Sequence, residues 1–283
     1  MAQPVQAQLR AQDGISALEG GDITTALGIW TPLAERGDVL AQYNLGVLLA
    51  AGDADSMDLQ QAQRWFEAAA LQDHLDAQLA LADLLAGQQA WAEARHWYTV
   101  AARAGAARAQ FALGKILERG LGGPSDQDQA IAWYQAAAEH GLRDAQFSLG
   151  AALAEGGEVE LAADWFEAAA LQGHNTAKHN LALALARGTG RDQDMDAARQ
   201  LYLQAAAAGY PPSVFNLALM QAQGRAGEQS FRKALALAIV AERLGHDSAS
   251  ALIEALHEVM SSDAITQAEA MAIECQTDPG VCG

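Results

Sequence analysis

Two near copies of one stretch decide the fold of this chain: RWFEAAALQDHLDAQLALADLL at residues 64–85 and DWFEAAALQGHNTAKHNLALAL at residues 164–185. Apolar residues in each copy follow the i, i+3, i+4, i+7 spacing of an amphipathic helix. The helical face that begins just before the first copy carries Ala62, Trp65, Phe66, Ala69 and Ala70. A single catalytic site has no need of such a duplication, whereas a structural building block recurs. The copies therefore predict a repeat protein.

One position of the repeat recurs every 32 or 36 residues and falls at Gly37, Asp73, Gly105, Gly141, Gly173, Gly209 and Gly245. A large residue precedes it by eight places in most units and by seven in the first, at Trp30, Trp65, Trp97, Trp133, Trp165, Leu201 and Leu237. A second small residue follows the glycine by about nine places, at Gly46, Ala82, Gly114, Gly150, Ala182 and Ala218. The pattern predicts two helices per unit, separated by a turn.

Each recurring residue type has a physical reason. A glycine after a helix permits the left-handed conformation that ends it, and the aspartate at position 73 tolerates that conformation better than most residues. Small residues let two helices approach closely while large side chains fill the flanking grooves. Acidic residues ahead of each second helix suit its N-terminus, by capping and by the helix dipole. These acids are Asp58, Asp126, Asp128, Asp192 and Asp196.

The stretches AQYNLGVLLA, AQFALGKILERGLGGPSDQDQAIAWYQAAAEHG and AQFSLGAALAEGG resemble the Sel-one-like repeat (SLR), a branch of the tetratricopeptide-repeat superfamily. The resemblance covers about residues 4–276. It implies an all-α, right-handed superhelical solenoid of antiparallel helix pairs, folded as a single domain over 1–283. Residues 246–283 would form capping helices with a cysteine pair. The predicted repeats span 4–37, 38–73, 74–105, 106–141, 142–173, 174–209 and 210–245.

The composition also favours helix and limits the class of partner. Hydrophobic residues make up 51% of the 283 residues, many of them alanine, the best helix former, and prolines number only six. The net charge of −18 argues against nucleic acid and permits a basic protein partner. No apolar run approaches the length of a membrane span. The N-terminus lacks the basic and apolar regions of a signal peptide.

Metal binding and catalysis find little support in the sequence. The stretches at 53–58 and 192–196 begin like calcium loops but lack the required glycine and final glutamate. His74, His174 and His246 follow the glycine position of their repeats, a placement that the dipole at a helix C-terminus favours. We expect them to lie one repeat or more apart in space, too far to converge on a zinc ion. No nucleophile elbow, phosphate-binding loop or dinucleotide fingerprint is present. We predict a non-enzymatic protein with no metal and no cofactor.

Two cysteines, Cys275 and Cys282, stand near the C-terminus in ECQTDPGVC, where Pro279 and Gly280 permit a tight turn and a short disulfide ring. The pair resembles the terminal staple of exported bacterial repeat proteins. It therefore predicts a periplasmic or secreted protein. The alternative is two free thiols in a cytoplasmic protein.

The candidate binding site follows from the resemblance. In tetratricopeptide-like solenoids the first helix of each pair lines a concave groove. Here that groove would carry an aromatic stripe and its charged neighbours, suited to anchoring a peptide or helix. The candidate residues are Tyr43, Asp83, Arg108, Phe111, Lys115, Glu118, Asp144, Phe147, His179 and Phe215. The rings lie either in the groove or between repeats as core, and the sequence favours neither arrangement.

The predicted function is a non-catalytic adaptor or regulator, monomeric or weakly oligomeric. It would bind a basic or partly apolar segment of another protein in its concave groove. The alternative is an envelope-associated protein that binds glycan or cell wall, because aromatic rings in a groove also suit sugars.

Overall fold

The computed structural model describes residues 3–51, 58–225 and 227–282, with side chains from residue 11 onward. Within these ranges the chain is all-α, as predicted, with sixteen α-helices, one 3-10 helix and no β-strand. The candidate calcium stretch at 53–58 lies outside the described residues, apart from Asp58. The chain divides into two compact units, Met1–His140 and Gly141–Gly283.

The first unit contains eight helices in its described part: α1 (Gln3–Glu19), α2 (Ile23–Ala34), α3 (Val39–Ala50), α4 (Leu59–Ala70), α5 (Leu75–Gly87), α6 (Trp91–Arg103), α7 (Ala107–Arg119) and α8 (Gln127–Glu139). The described part of the second unit contains α9 (Arg143–Glu155), α10 (Val159–Leu171), α11 (Asn175–Arg187), α12 (Met195–Ala207), α13 (Pro211–Gln223), α14 (Phe231–Arg243), α15 (Ala249–Val259), α16 (Ser262–Thr277) and a 3-10 turn (Pro279–Val281).

Consecutive helices pack as pairs in both units, because the short connections between them force neighbours to lie antiparallel. We call the first helix of each pair the A helix and the second the B helix. The A helices are α1, α3, α5, α7, α9, α11 and α13, and each is followed by its B helix. Each B helix also packs against the next A helix of its own unit, which extends the core from pair to pair.

Small residues on the A helix receive an aromatic ring from the B helix. A Cβ added at Gly46 would lie 2.7 Å from the ring of Phe66, and one added at Gly150 would lie 2.9 Å from the ring of Phe166. These distances are shorter than any ordinary contact, so only glycine fits opposite these rings. The prediction that small residues mark close helix packing is confirmed.

The buried aromatic residue is the one that follows the recurring tryptophan. Phe66 is 3% exposed, whereas Trp65 is only half-buried, although the sequence placed both on the core face. Trp30 in the first unit occupies the buried position, and its ring lies against Gly14. Trp30 is therefore the equivalent of Phe66 and not of Trp65, which explains its one-place shift in the sequence.

Turns and caps follow the sequence prediction, with one correction. The recurring glycines and Asp73 adopt positive φ, 62° at Asp73, as the left-handed ends of helices require. Asp58 and Asp126 cap the N-termini of α4 and α8. The N-cap of α12 is Asp194, whose side chain accepts a hydrogen bond from the backbone N–H of Ala197, and not the predicted Asp192. A capping oxygen must precede the first helical residue directly, and the composition of an acidic run does not show which acid does so.

Buried glutamines join successive helix pairs. The side chain of Gln42 donates to the carbonyl of Ala34 at 3.1 Å, and that of Gln78 donates to the carbonyl of Ala70 at 3.3 Å. Gln72 donates in turn to the Oε1 atom of Gln42 at 2.8 Å. The first two bonds supply a second donor to helix-end carbonyls that also accept from the backbone N–H groups of Gly37 and Asp73.

The second unit ends in a disulfide-bonded turn. Cys275 of α16 pairs with Cys282, with their Cα atoms 5.8 Å apart, and both residues are fully buried. The 3-10 turn that carries the bridge packs against α12 as well as α16. No helix in the described part of the chain is long and apolar enough to cross a lipid bilayer.

Candidate functional site

The aromatic stripe of the first unit lies half-buried on the A helices. The ring of Tyr43 on α3 contacts Phe66 with centroids 6.1 Å apart, and it stacks on His74 at 4.7 Å. Phe111 on α7 contacts Tyr134 at 5.7 Å. Part of each stripe ring therefore packs on the B helix of its own pair, and the rest remains accessible.

The second unit repeats this arrangement. Phe147 on α9 contacts Phe166 at 6.0 Å and stacks on His174 at 4.4 Å. Phe215 on α13 stacks on His246 at 4.2 Å. Each ring is therefore partly packed and partly accessible, and its placement in a concave groove stays a prediction.

His179 takes the stripe position on α11 and is held on three sides. Its ring lies 5.4 Å from Tyr202 and 5.3 Å from Tyr210, and its Nδ1 atom lies 3.0 Å from the hydroxyl of Ser213. Burial, with a smaller effect of His246, lowers the pKa of His179 to about 4. His179 is therefore neutral near pH 7 and offers a partner no charge.

Three of the predicted charged residues form contacts near the stripe of the first unit. Asp83 accepts a hydrogen bond from the hydroxyl of Tyr98 at 2.6 Å, and the guanidinium of Arg108 lies 3.5 Å from its other oxygen. The Nζ atom of Lys115 lies 5.5 Å from the ring centroid of Phe111, within cation–π range. Burial and then the bond to Asp83 raise the pKa of Tyr98, so its hydroxyl stays a donor at neutral pH.

The other two predicted acidic residues form contacts of their own. Glu118 accepts a hydrogen bond from the hydroxyl of Tyr134 at 3.0 Å, and burial and then Glu118 raise the pKa of Tyr134. Asp144 in the second unit pairs with its neighbour Arg143 at 3.2 Å. Among the described residues, no group of three or more metal-ligating side chains converges to hold a metal ion.

The histidines after the repeat glycines have a different role from the one the sequence indicated. The Nδ1 atoms of His74 and His174 accept hydrogen bonds from the backbone N–H groups of Ala77 and Ala177, at 3.2 and 3.1 Å. Both histidines therefore cap the N-terminus of the next A helix, and the prediction that a helix C-terminus explains their placement is wrong. The turn is so short that the residue that follows one helix end begins the next helix.

Two apolar clefts open between neighbouring A helices, one in each unit. The Phe66 cleft lies between α3 and α5 over the ring of Phe66 and has a volume of about 560 Å³. Its lining residues are Val47, Ala50, Ala51, Leu59, Phe66, Ala80, Asp83, Leu84, Gly87 and Gln88. The Phe166 cleft lies between α9 and α11 over the ring of Phe166 and has a volume of about 340 Å³. Its lining residues are Ala151, Ala154, Glu155, Val159, Ala162, Ala163, Phe166, Asn180, Leu183, Ala184, Arg187 and Thr189.

Where tyrosine replaces phenylalanine on the B helix, the corresponding cleft is smaller. The cleft beside Tyr98 has a volume of about 180 Å³, and the cleft beside Tyr202 about 200 Å³. The hydroxyl of Tyr98 reaches across to a carboxylate on its A helix, as that of Tyr134 does. The aromatic ring on the B helix forms the floor of each cleft. A tyrosine there extends a hydroxyl from the floor to the A helix, whereas a phenylalanine leaves that space open.

Phe66 and Phe166 are not among the site residues predicted from the sequence, in which the tryptophan of each WF or WY pair marks the repeat. A signal was present, because the residue after the tryptophan is phenylalanine only in the two copied stretches and tyrosine at positions 98 and 134.

A sequence model of the Sel1 repeat matches residues 39–74, 92–105, 107–142, 143–174, 176–210 and 211–246. The chain belongs to the Sel1-repeat family. The matched Sel1 repeats leave out both ends of the chain, where the motif is degenerate. Sel1 and other tetratricopeptide-like repeat proteins generally mediate protein–protein interaction and are generally non-catalytic.

Solved structures with a Sel1-repeat fold resemble the chain. A protective antigen present in uropathogenic Escherichia coli strains, which displays an SLR fold, has a TM-score of 0.79 and 25% sequence identity, with 95% of this chain covered. The chain spans 60% of the length of that antigen. A Sel1 repeat protein from Oxalobacter formigenes has a TM-score of 0.65 and 25% identity over 82% of this chain and 96% of its own. A search of curated proteins found no match.

Proposed function

We propose that this Sel1-repeat protein is a non-catalytic adaptor or regulator that binds a segment of another protein across the accessible side of its A helices. The observation that carries the proposal is the half-buried aromatic stripe with exposed charges beside it, such as Phe111 with Lys115 above its ring. A ring already held by its own B helix loses little conformational freedom on binding, so it makes a favourable anchor.

Charged residues beside the stripe would set the register of the bound segment. Asp83 and Arg108 are 3.5 Å apart, and both side chains are well exposed, at 45% and 73%. Exposed ion pairs contribute little to folding, so either group is free to exchange its partner for one on the bound segment. The net charge of −18 favours a segment with basic residues.

The carboxylates beside the stripe also support the proposal that the chain is not an enzyme. Asp83 and Glu118 each accept a hydrogen bond from a tyrosine hydroxyl on the B helix, an arrangement that pairs neither with a second carboxylate or a nucleophile. The disulfide between Cys275 and Cys282 supports a periplasmic or secreted location, because disulfides persist in oxidising compartments.

Site-specific blocking tests the proposal without changing the packing of the rings. Both native cysteines are disulfide-bonded, so a single introduced cysteine can be labelled selectively. Lys115→Cys carries the label beside Phe111, and Arg103→Cys carries it at the exposed end of α6 as the matched control. Each variant, with and without a bulky maleimide, is used to capture partners from an extract of the cells that express the protein.

We expect a defined protein to be captured by both unlabelled variants and by labelled Arg103→Cys, and to be lost when Lys115→Cys is labelled. Capture that survives the label at both positions would contradict binding at this face. Capture of cell-wall material with no protein component would favour the glycan-binding alternative.

A further inference from the structure

We infer that the Phe66 cleft and the Phe166 cleft are two separate anchor sites, each of which takes one bulky apolar side chain of a protein partner. We also infer that the Phe66 cleft selects an apolar side chain that has a lysine or arginine beside it. The inference rests on the proposed function and names the chemistry of the bound segment.

Each cleft takes its phenylalanine floor and part of its second A helix from one of the two copied stretches of sequence. In the first, Phe66 lies under Tyr43, and Tyr43 stacks on His74. In the second, Phe166 lies under Phe147 in the same way. The ring distances differ by no more than a few tenths of an ångström between the copies, 6.1 against 6.0 Å and 4.7 against 4.4 Å. The two copies therefore share the packing of the ring that forms the floor of each cleft.

Both clefts have the size and the lining for an apolar side chain. An apolar cavity of about 150 Å³ accommodates benzene, and the two clefts measure about 560 and 340 Å³. Alanine, leucine and valine side chains dominate both linings, and each floor is a phenylalanine with no polar atom. Burial of an aromatic or large aliphatic side chain there removes apolar surface from water on both partners.

The tyrosine-floored clefts of the same chain show that an open apolar floor is not a general property of the repeat. Tyr98 fills the corresponding position with a hydroxyl that is bonded to the carboxylate of Asp83 on the A helix. A side chain that entered that cleft would have to displace or desolvate this hydrogen bond. The two phenylalanine floors impose no such cost.

The charges at the rims distinguish the two clefts. Among the described residues that line the Phe66 cleft, Asp83 alone is charged. Leu183 stands at the equivalent place in the Phe166 cleft, which is lined instead by one acid and one base, Glu155 and Arg187. A cation beside the anchoring side chain can therefore pair with Asp83 at the Phe66 cleft, in exchange for the exposed guanidinium of Arg108, whereas it meets mixed charge at the Phe166 cleft.

Alanine methyl groups report on each cleft separately in NMR spectra of the full chain. Ala80 lines the Phe66 cleft and Ala184 lines the Phe166 cleft. The probes are three amidated, N-acetylated peptides: Gly-Lys-Phe-Lys-Gly, Gly-Glu-Phe-Glu-Gly and Gly-Lys-Ala-Lys-Gly. The first two differ in the charge beside the anchor, and the third lacks the anchor.

We expect the Lys-Phe-Lys peptide to shift the methyl signals of Ala80 and Ala184 in a saturable manner and the Lys-Ala-Lys peptide to shift neither. At both methyls the acidic protein should favour the Lys-Phe-Lys peptide over the Glu-Phe-Glu peptide, and at Ala80 this preference should be about threefold larger than at Ala184, the factor that one exposed ion pair contributes. Asp83→Asn keeps an acceptor for the hydroxyl of Tyr98 and should remove this additional preference at Ala80 alone.

Occlusion variants provide matched controls. Ala50→Trp fills the Phe66 cleft and Ala154→Trp fills the Phe166 cleft, at partly or fully exposed helical positions. Each variant should abolish the response at its own cleft and leave the other cleft unchanged, so the intact cleft also shows that the protein is folded.

Equal shifts from the Lys-Phe-Lys and Lys-Ala-Lys peptides would overturn the anchor sites, as would a response at Ala80 that persists in Ala50→Trp. A saturable response to cellotetraose at the same methyls with none to the peptides would also overturn them, in favour of glycan. The label at Lys115 tests partner capture independently, so the anchor sites can fail while the adaptor proposal stands.

Discussion

His174 caps the N-terminus of α11 through its Nδ1 atom, which accepts a hydrogen bond from the backbone N–H of Ala177 at 3.1 Å. This bond requires a lone pair on Nδ1, so the cap exists only while the imidazole is neutral. Burial is the main cause that lowers the pKa of His174, against a smaller opposing effect of Asp144. A protonated ring would also place a positive charge at the positive end of the helix dipole.

Acid should destabilise the fold through this cap. Because the pKa of His174 is lowered in the folded protein, the unfolded chain takes up the proton first as the pH falls. The stabilising contribution is present above the unfolded pKa of about 6.5 and is lost as the pH falls below it. Asparagine is a good N-cap that does not titrate, so His174→Asn should lose less unfolding free energy than the wild type between pH 7.5 and pH 5.

Urea unfolding followed by circular dichroism at a series of pH values measures this difference. His257→Asn, at an exposed position on α15, is the control and should follow the wild type. An identical pH dependence in His174→Asn and the wild type would contradict the role of the cap.

Glycine to alanine substitutions should have opposite effects at two helical positions. At Gly150 a Cβ would lie 2.9 Å from the ring of Phe166, so Gly150→Ala should cost about 1–3 kcal/mol through overpacking. At Gly28, on the exposed side of α2, nothing lies within 4 Å, so Gly28→Ala should stabilise by about 0.5–1 kcal/mol through helix propensity. Thermal unfolding of both variants checks the signs, and stabilisation by Gly150→Ala would contradict the close packing described here.

Ala104→Gln should stabilise the first unit. The Oε1 atom of Gln78 is buried without a hydrogen-bond partner, whereas that of Gln42 accepts a bond from Gln72. Ala104 occupies the position of Gln72 one repeat later, so a glutamine there should supply the missing donor and add about 0.5–1.5 kcal/mol.

Ala208→Gln is the matched control, at the same position of a repeat that has Lys178 in place of the buried glutamine. Chemical denaturation should show a gain for Ala104→Gln and none for Ala208→Gln. Equal effects of the two substitutions would assign the gain to something other than Gln78.

Loss of the disulfide should loosen the end of the second unit. Cys275 and Cys282 are seven residues apart, and a ring of this size stabilises by about 2–3 kcal/mol in the chain-entropy treatment. Replacement of both by serine should also place two hydroxyls among buried apolar residues. A lower urea midpoint for the double variant, reproduced in the wild type by reductant, is the expected result, and an unchanged midpoint in both cases would contradict it.

Local sequence signals predicted the helices and turns because they act within one repeat. The recurring glycines mark left-handed helix ends wherever they occur, and Asp73 shows that the position, rather than the residue type, carries the requirement. The contacts of the histidines could not be predicted from such local signals. Their position after a helix end is visible in the sequence, but which N–H group the imidazole contacts depends on how tightly the chain turns into the next helix.

The sequence by itself determined the repeat, its two helices and its family, because periodic apolar and small residues specify which helical faces must be buried. Only the tertiary structure decided that Phe66 and Phe166, rather than the tryptophans before them, lie over the glycines and form the floors of open clefts. Adjacent residues on a helix are separated by about 100° around its axis, so both can belong to a broad apolar face. The position of the neighbouring A helix then selects which ring is buried, and that position results from packing across the whole helix pair.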